Sequence, residues 1–340
     1  MLRLFVSVLW ERLKDIESRG KKMSMVYPYI KNADDKLRAQ CVSGFNEKYP
    51  EGDKREIIKR WEKELKIIKD RRAASGYLIV SDALKAVGAT GDQICAIGEL
   101  GSSLVAYLLG ITNVDPVLAD PPLYPEFFYG MSGEKRPSFE LTVPEDIHEK
   151  LAGYFDNYQG IEQVEKKYDS EGHLVGVWIG EDIDSIPVEE RYGRVFHFNF
   201  VADGNTERSE GYGIREDILE VCKPNTFPEY VKCFGLSQGT GTWEENAERL
   251  IKEDSMSYMD LIADREDVYE LLIKHGIDKN DAFTIAEDVR KGKIYKNGWE
   301  ESQKKMLEDA KVPEWFTAYC EKVMYLFPRA HAESYLKTRM

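Results

Sequence analysis

The stretch Val195-Phe196-His197-Phe198-Asn199-Phe200-Val201 constrains this chain more than any other. Phe196, Phe198 and Phe200 alternate, so as a strand they share one face. Three aromatic rings on one face need a cover, and a sheet packed on a core is a far better reading than a stacking platform for bases. Upstream, Val164–Tyr168 and His173–Ile179 flank Asp169-Ser170-Glu171-Gly172, a hairpin signal. Residues 160–203 therefore read as β structure.

The segments on either side read differently. Leu37, Cys41 and Phe45 recur at helical spacing, as do Ile57, Trp61, Leu65 and Ile68. These predict two amphipathic helices split by Tyr49-Pro50-Glu51-Gly52. Residues 76–88 predict a third. A glycine-bearing turn, Gly98 to Ser103, follows and leads into an apolar helix at Leu104–Leu109. Residues 113–137 are rich in proline and aromatics and predict a structured loop. From 213 onward the pattern is helical, with loops carrying Gly235, Gly239, Gly241, Gly276, Gly292 and Gly298, and with Pro313 opening a helix. A boundary falls near 205–212.

Length and charge bound the function. At 340 residues the chain has room for two domains. A net charge of -14 weakens the case for independent, tight binding of duplex DNA, although a local basic channel remains compatible with it. No run of 18 apolar residues occurs, and the apolar Leu4–Trp10 is cut short by Glu11, Arg12 and Lys14. Residues 1–26 read as a short N-terminal helix rather than a signal peptide, and the chain as cytoplasmic with no membrane partner. The five cysteines form no CxxC pair, which argues against a zinc site or disulfide framework.

Several motifs in order carry a family resemblance. KPNTFPEYVKCFGLSQGTGTW (223–243), VRKGK (289–293), VPEWF (312–316) and YLFPRAHAESY (325–335) resemble the fingers of the bacterial PolC-type DNA polymerase III alpha subunit. YPYIKNADDKLR (27–38), GYLIVSDALKAVG (76–88), AIGELGSSLVAYLLGITNVDPV (96–117), YPEFFYG (124–130) and GEKRPSFEL (133–141) are similar to its palm. The resemblance implies an α+β fold, with a nucleotidyltransferase-like palm and mixed sheet over 27–210. It also implies a helical fingers-like domain over 211–340. The family's exonuclease, zinc-binding insertion and clamp-side segments have no counterpart, so the chain looks like a truncated portion of such a polymerase.

The same resemblance implies altered chemistry. Two-metal phosphoryl transfer needs paired carboxylates. The family's PDIDL-like strand matches Pro137-Ser138-Phe139-Glu140-Leu141, so one aspartate is replaced by Ser138 and the other by Glu140. The KLDILG-like strand has no match, leaving Asp203 as the stand-in. HFNF (197–200) is similar to the family's HFDF element. Asp182 and Asp184, in Glu-Asp-Ile-Asp, have the DxD spacing; an acidic surface loop is the better reading and a relocated metal site the sharper one. In the phosphate turn Gly98, Gly101, Ser102 and Ser103 are kept, but Ile97 and Glu99 replace an arginine and a serine. Glu99 would repel phosphate. Arg290, Lys291, Lys293, Arg329 and His331 match nucleotide-binding positions of the fingers, with solvated surface charge as the competing reading.

Three functions follow as expectations. The first is a PolC-like pseudoenzyme with weak DNA or nucleotide binding. The second is an acidic mimic that engages a replication protein partner. The third is a working nucleotidyltransferase with relocated acids. Mg²⁺ is expected only for the third, held by Glu140, Asp182 and Asp184.

Overall fold

Apolar spacing accounts for the first helices. A computed structural model describes residues 27–158, 162–203, 211–253 and 255–340. The helix expected in residues 1–26, and most of the boundary expected at 205–212, lie outside the described residues. Helices α1 (Ala33–Lys48) and α2 (Arg55–Asp70) break at the predicted Pro50–Gly52 turn. Ile57, Trp61, Leu65 and Ile68 face inward along α2. Helix α3 (Ala74–Ala86) is buried along most of its length. A Cβ on its Gly76 would lie 2.9 Å from the Phe196 ring, so α3 lies directly against the aromatic strand.

A two-residue strand β1 (Cys95–Ala96) and the short helix α4 (Leu104–Leu108) bracket the glycine turn. The loop expected at 113–137 contains a short helix, α5 (Pro125–Tyr129), with Pro125 in its first turn. Strand β2 (Phe139–Val143) leads into α6 (Glu145–Asp156), a helix the sequence reading did not anticipate. Ile147, Leu151 and Phe155 are its buried stripe. Strands β3 (Gln163–Tyr168) and β4 (Leu174–Gly180) form the predicted hairpin, pairing antiparallel. A helix α7 (Val188–Arg194) interrupts the region expected to be β structure before β5 (Phe196–Ala202). The sheet order is β1-β2-β5-β4-β3, with β2 and β5 parallel and the other pairs antiparallel.

Phe139, Leu141, Val143, Val177, Ile179, Phe196, Phe198 and Phe200 form the inner face of the sheet, under α3 and α6. The predicted stripe is therefore a core face. Each of its phenylalanines contributes about 1.5–3 kcal/mol through burial.

The rest is helical: α8 (Glu216–Cys222), α9 (Phe227–Gln238), α10 (Glu248–Lys252), α11 (Arg265–Lys274), α12 (Lys279–Arg290), α13 (Lys293–Asn297), α14 (Glu301–Asp309), α15 (Glu314–Cys320) and α16 (Arg329–Arg339). Gly235, expected in a loop, lies inside α9. A Cβ there would be 3.0 Å from the Ala263 carbonyl oxygen, so glycine permits close packing rather than a break. Pro313 caps α15, as its position predicts.

This half has its own core, centred on Phe234, Trp243, Val268, Leu272, Phe316 and Leu326. Helix α16 ties the two cores together. Ala96 N–H donates to Ser334 Oγ at 2.8 Å, and a Cβ on Gly101 would sit 3.1 Å from the Ala330 carbonyl oxygen. Among the described residues, no helix is long and apolar enough to cross a membrane.

Candidate functional site

Two places gather the residues of interest. The first is the outer face of the sheet, opposite the phenylalanines. Register puts four residues in one row across four strands: Glu140 on β2 beside Asn199 on β5, Asn199 beside Gly176 on β4, and Gly176 beside Lys167 on β3. Gly176 has no side chain, so Lys167 can lie across its strand. Its Nζ donates to Asn199 Oδ1 at 2.5 Å. The Asn199 side chain also hydrogen-bonds Glu140. With Oδ1 accepting from Lys167, the amide nitrogen is the donor left for the carboxylate. Burial raises the Glu140 carboxyl above its ordinary range, against the opposing pull of Lys167 and Asn199.

Helix α7 covers the far side of this face. The Lys167 ammonium lies 4.5 Å from the centre of the Tyr192 ring, and Arg191 pairs with Glu165 and lies over Trp178 at 5.1 Å. His197 is buried there with Nδ1 lacking a hydrogen bond. Burial, then the Lys167 charge, push it down to about 4.

The other acids proposed from sequence do not join Glu140. Asp203 follows the C-terminal end of β5, where its N–H donates to the Val143 carbonyl at 2.7 Å and its carboxylate pairs with Arg339. Asp182 and Asp184 are exposed in the turn after β4. Because β4 runs antiparallel to β5, they lie at the opposite end of the sheet from Asp203. The last residue of β4 is already four positions beyond the Gly176 row, roughly 13 Å at strand rise. Among the described residues, no three His, Cys, Asp or Glu side chains group as metal ligands.

The second place lies between the halves, where the glycine turn meets α5, α11 and α12. Gly98 has φ of 66°, a left-handed bend natural to glycine. Ser102 and Ser103 are buried, not presented to solvent. Ser103 Oγ accepts from Ala106 N–H at 3.1 Å and donates to Glu64 at 3.2 Å. Leu104 and Val105 N–H groups also donate to Glu64, both at 3.1 Å. The fully buried Glu64 carboxylate, paired with Arg60 at 3.1 Å, thus takes the Ser103 hydroxyl and the first N–H groups of α4, while Ser102 and Ser103 N–H donate to the Glu99 and Leu100 carbonyls at 2.9 and 3.1 Å.

Beyond the turn, Glu99 pairs with Arg265, whose guanidinium stacks 3.8 Å from the centre of the Phe127 ring. Arg265 also pairs with Glu287. Glu287 in turn lies 3.2 Å from Arg290, 3.5 Å from Lys291 and 3.9 Å from Lys135. Burial opposes its charge, yet Arg265, Arg290 and Lys135 hold its carboxyl far below the ordinary range. Burial, offset by Glu287 and aided by Arg265 and Arg290, lowers the Lys135 ammonium to about 8. Glu266 is fully buried, and burial with the nearby Glu99 charge raises it well above the usual range. Four cations here face the carboxylates of Glu99 and Glu287.

The remaining nucleotide-binding candidates have separate settings. Lys293 pairs with Asp288 at 2.5 Å on the surface. Arg329 is almost fully buried and bridges Asp264 at 2.9 Å, Asp267 at 2.9 Å and Glu270 at 2.6 Å. It also donates to the Pro122 carbonyl at 2.9 Å. His331 stacks on Phe327 at 4.8 Å, and burial lowers it to about 4. The structure thus brings Arg290 and Lys291 to the glycine turn's Glu99 through Arg265 and Glu287, and uses Arg329 to hold three acids together.

Lys167, Lys135, Arg265 and Glu287 were not singled out from sequence. Each depends on partners 32 or more positions away, or on a neighbouring element, and short motifs do not report such pairs. Asn199 was visible in His-Phe-Asn-Phe, but its partners were not.

A mixed sheet with helices on its inner face and a helical companion makes this an α+β chain, consistent with a nucleotidyltransferase-like polymerase domain. Residues 35–168 match the family described as Bacterial DNA polymerase III alpha NTPase domain. More particularly, part of the chain is similar to PolC-type polymerases. It is 43% identical over 119 residues to a DNA polymerase III PolC-type of Listeria welshimeri, a stretch covering 35% of this chain and 8% of that relative. The PolC-type protein of Lacticaseibacillus paracasei is 41% identical over 119 residues, with the same shares covered. That of Caldanaerobacter subterraneus is 39% identical over 123 residues, 36% of this chain and 8% of the relative. The matched stretch is thus 8% of the length of each of these relatives.

Proposed function

We propose that this chain is a PolC-like protein of DNA replication that has kept a polymerase-type fold and given up two-metal nucleotidyl transfer. The Glu140–Asn199–Gly176–Lys167 row carries this reading. Two-metal transfer needs carboxylates that bridge two divalent ions. In this row a single carboxylate is wired through a neutral amide to an ammonium, and Ser138 brings no charge to the position two residues before it. Such a donor set does not fit a pair of divalent cations, so Mg²⁺ is not assigned to it. Relocated acids offer poor support for a working transferase, because Asp203 is held by Arg339 and Asp182 lies at the other end of the sheet.

The cationic cluster between the halves supports a residual affinity for phosphate groups of a nucleotide or of DNA. An acidic mimic that engages a replication partner is the second reading, favoured by the net charge of -14.

Primer extension on a primed template separates these from catalysis, with four nucleotides and Mg²⁺ or Mn²⁺, beside a Glu140→Ala control. The reading expects no extension from either protein. Extension by the wild type that is lost in Glu140→Ala would place Glu140 in a working metal site and sink it.

A further inference from the structure

Spacing along the chain predicts no cysteine pair, but the fold makes one. All five cysteines are free and buried. Cys222 is the last residue of α8, and Cys233 lies inside α9. The two helices pack against each other, and both cysteines belong to the core of the helical half. Their thiols meet within hydrogen-bonding reach. Sulfurs that already meet, on helices joined by a short turn, need little backbone movement to bond.

The two sulfurs are not equivalent. Cys233 is fully buried, whereas Cys222 keeps 7% of its surface exposed. Helix α8 has only seven residues and ends at the exposed, left-handed Lys223, with φ of 49°. Cys222 is therefore the sulfur that a small reagent reaches first. The hydrogen bond from the Cys233 thiol favours the Cys222 thiolate, against burial, and the same contact with burial raises Cys233. Glu229 and Lys232 on α9, together with Tyr258, are the other titratable groups at the pair. Lys232 is engaged by Asp267 at 2.6 Å, and Glu229 accepts from the N–H groups of Asn225 and Thr226 at 2.8 and 2.9 Å. Each of those charges has its own partner, which leaves the two sulfurs to each other.

We propose that Cys222 and Cys233 are a redox-sensitive dithiol that closes to an intramolecular disulfide by exchange with a low-molecular-weight disulfide, tying α8 to α9. The Cys222 thiolate attacks one sulfur of the small disulfide and releases one small thiol. The Cys233 sulfur then attacks Cys222 in the mixed disulfide and releases the second. The protein gives up two protons and two electrons, and the small disulfide is reduced to two thiols. An excess of small thiol reverses both steps. The proposal is independent of the reading of the sheet face and of primer extension.

The test is incubation of the folded protein with oxidised glutathione, followed by acid quenching, thiol counting and peptide mass mapping. Wild type should lose two of its five thiols and yield one cross-linked peptide pair, Cys222 with Cys233, that dithiothreitol separates. Cys233→Ser should hold one glutathione on Cys222 as a stable mixed disulfide, because no second thiol displaces it. Cys222→Ser should leave Cys233 unmodified. Circular dichroism and thermal melting check that both variants fold, and the wild-type result stands without them. Folded wild type that keeps all five thiols, stops at a glutathione adduct or joins a different pair of cysteines would overturn the proposal. Cross-linking that appears only in urea-unfolded protein would overturn it as well.

Discussion

The outer face of the sheet and the junction between the halves manage charge in opposite ways. On the sheet, one acid and one ammonium are separated by an asparagine and aligned by strand register. At the junction, Arg329 serves three acids and Glu287 is surrounded by four cations. A register-set pair can lose a member at modest cost, since its two charges meet through a neutral amide. A buried network cannot, because each removal leaves another charge uncompensated.

The largest effect expected from this contrast is on Arg329. Arg329→Met leaves Asp264, Asp267 and Glu270 without their shared cation, and should cost about 3–5 kcal/mol in urea unfolding. A loss near that of Lys167→Met would erase the distinction between the two regions.

Next comes Glu333 on α16. It is fully buried with both carboxyl oxygens lacking a hydrogen bond, and burial raises it to about 8. A carboxyl raised on folding binds more protons in the folded state, so stability falls as pH rises from about 4.5 to about 8. Glu333→Gln should remove that fall and be more stable than wild type at pH 8 by about 4 kcal/mol. Parallel pH profiles for the two proteins would show that Glu333 ionises freely.

The sheet should respond on the acid side instead. His197 is depressed to about 4 from an ordinary 6.5, so its folded state binds fewer protons. Stability is then full above pH 6.5 and declines as pH falls toward 4, by about 2 kcal/mol at pH 5. Glu333→Gln should keep this acid limb, and His197→Gln should flatten the share of it that His331 does not supply. An unchanged acid limb in His197→Gln would remove the sheet from the account of pH stability.

The smallest effect is a local one. Lys167 is the second cause of the His197 depression. In Lys167→Met the imidazole should titrate above its wild-type value, seen by NMR of the ring protons, with little change in melting temperature. No movement would mean that burial alone sets His197.

Much of the architecture was legible in the sequence because it rests on short-range periodicity. The break between α1 and α2, the Asp169–Gly172 hairpin and the Phe196–Phe200 face follow from spacing alone. Helix α6 escaped because its stripe of Ile147, Leu151 and Phe155 is thin and lies among charged residues. Gly235 was misread because glycine marks close approach as well as chain breaks. The candidate site was less legible. Glu140 and the glycine turn could be named from motifs, but the carboxylate that takes the Ser103 hydroxyl and the N–H groups after it, Glu64, comes from a helix about 40 residues upstream. Likewise, Arg329 reads as a nucleotide-binding position or a solvated surface charge, and only tertiary packing turns it into the centre of an acidic network.

The account stands most directly on whether the sheet face accepts a divalent ion. Mn²⁺ titration followed by electron paramagnetic resonance, on wild type and Glu140→Ala, measures this without any enzymatic assay. The account predicts that the two proteins bind Mn²⁺ indistinguishably, with no saturable site attributable to Glu140. A stoichiometric site present in wild type and lost in Glu140→Ala would contradict it.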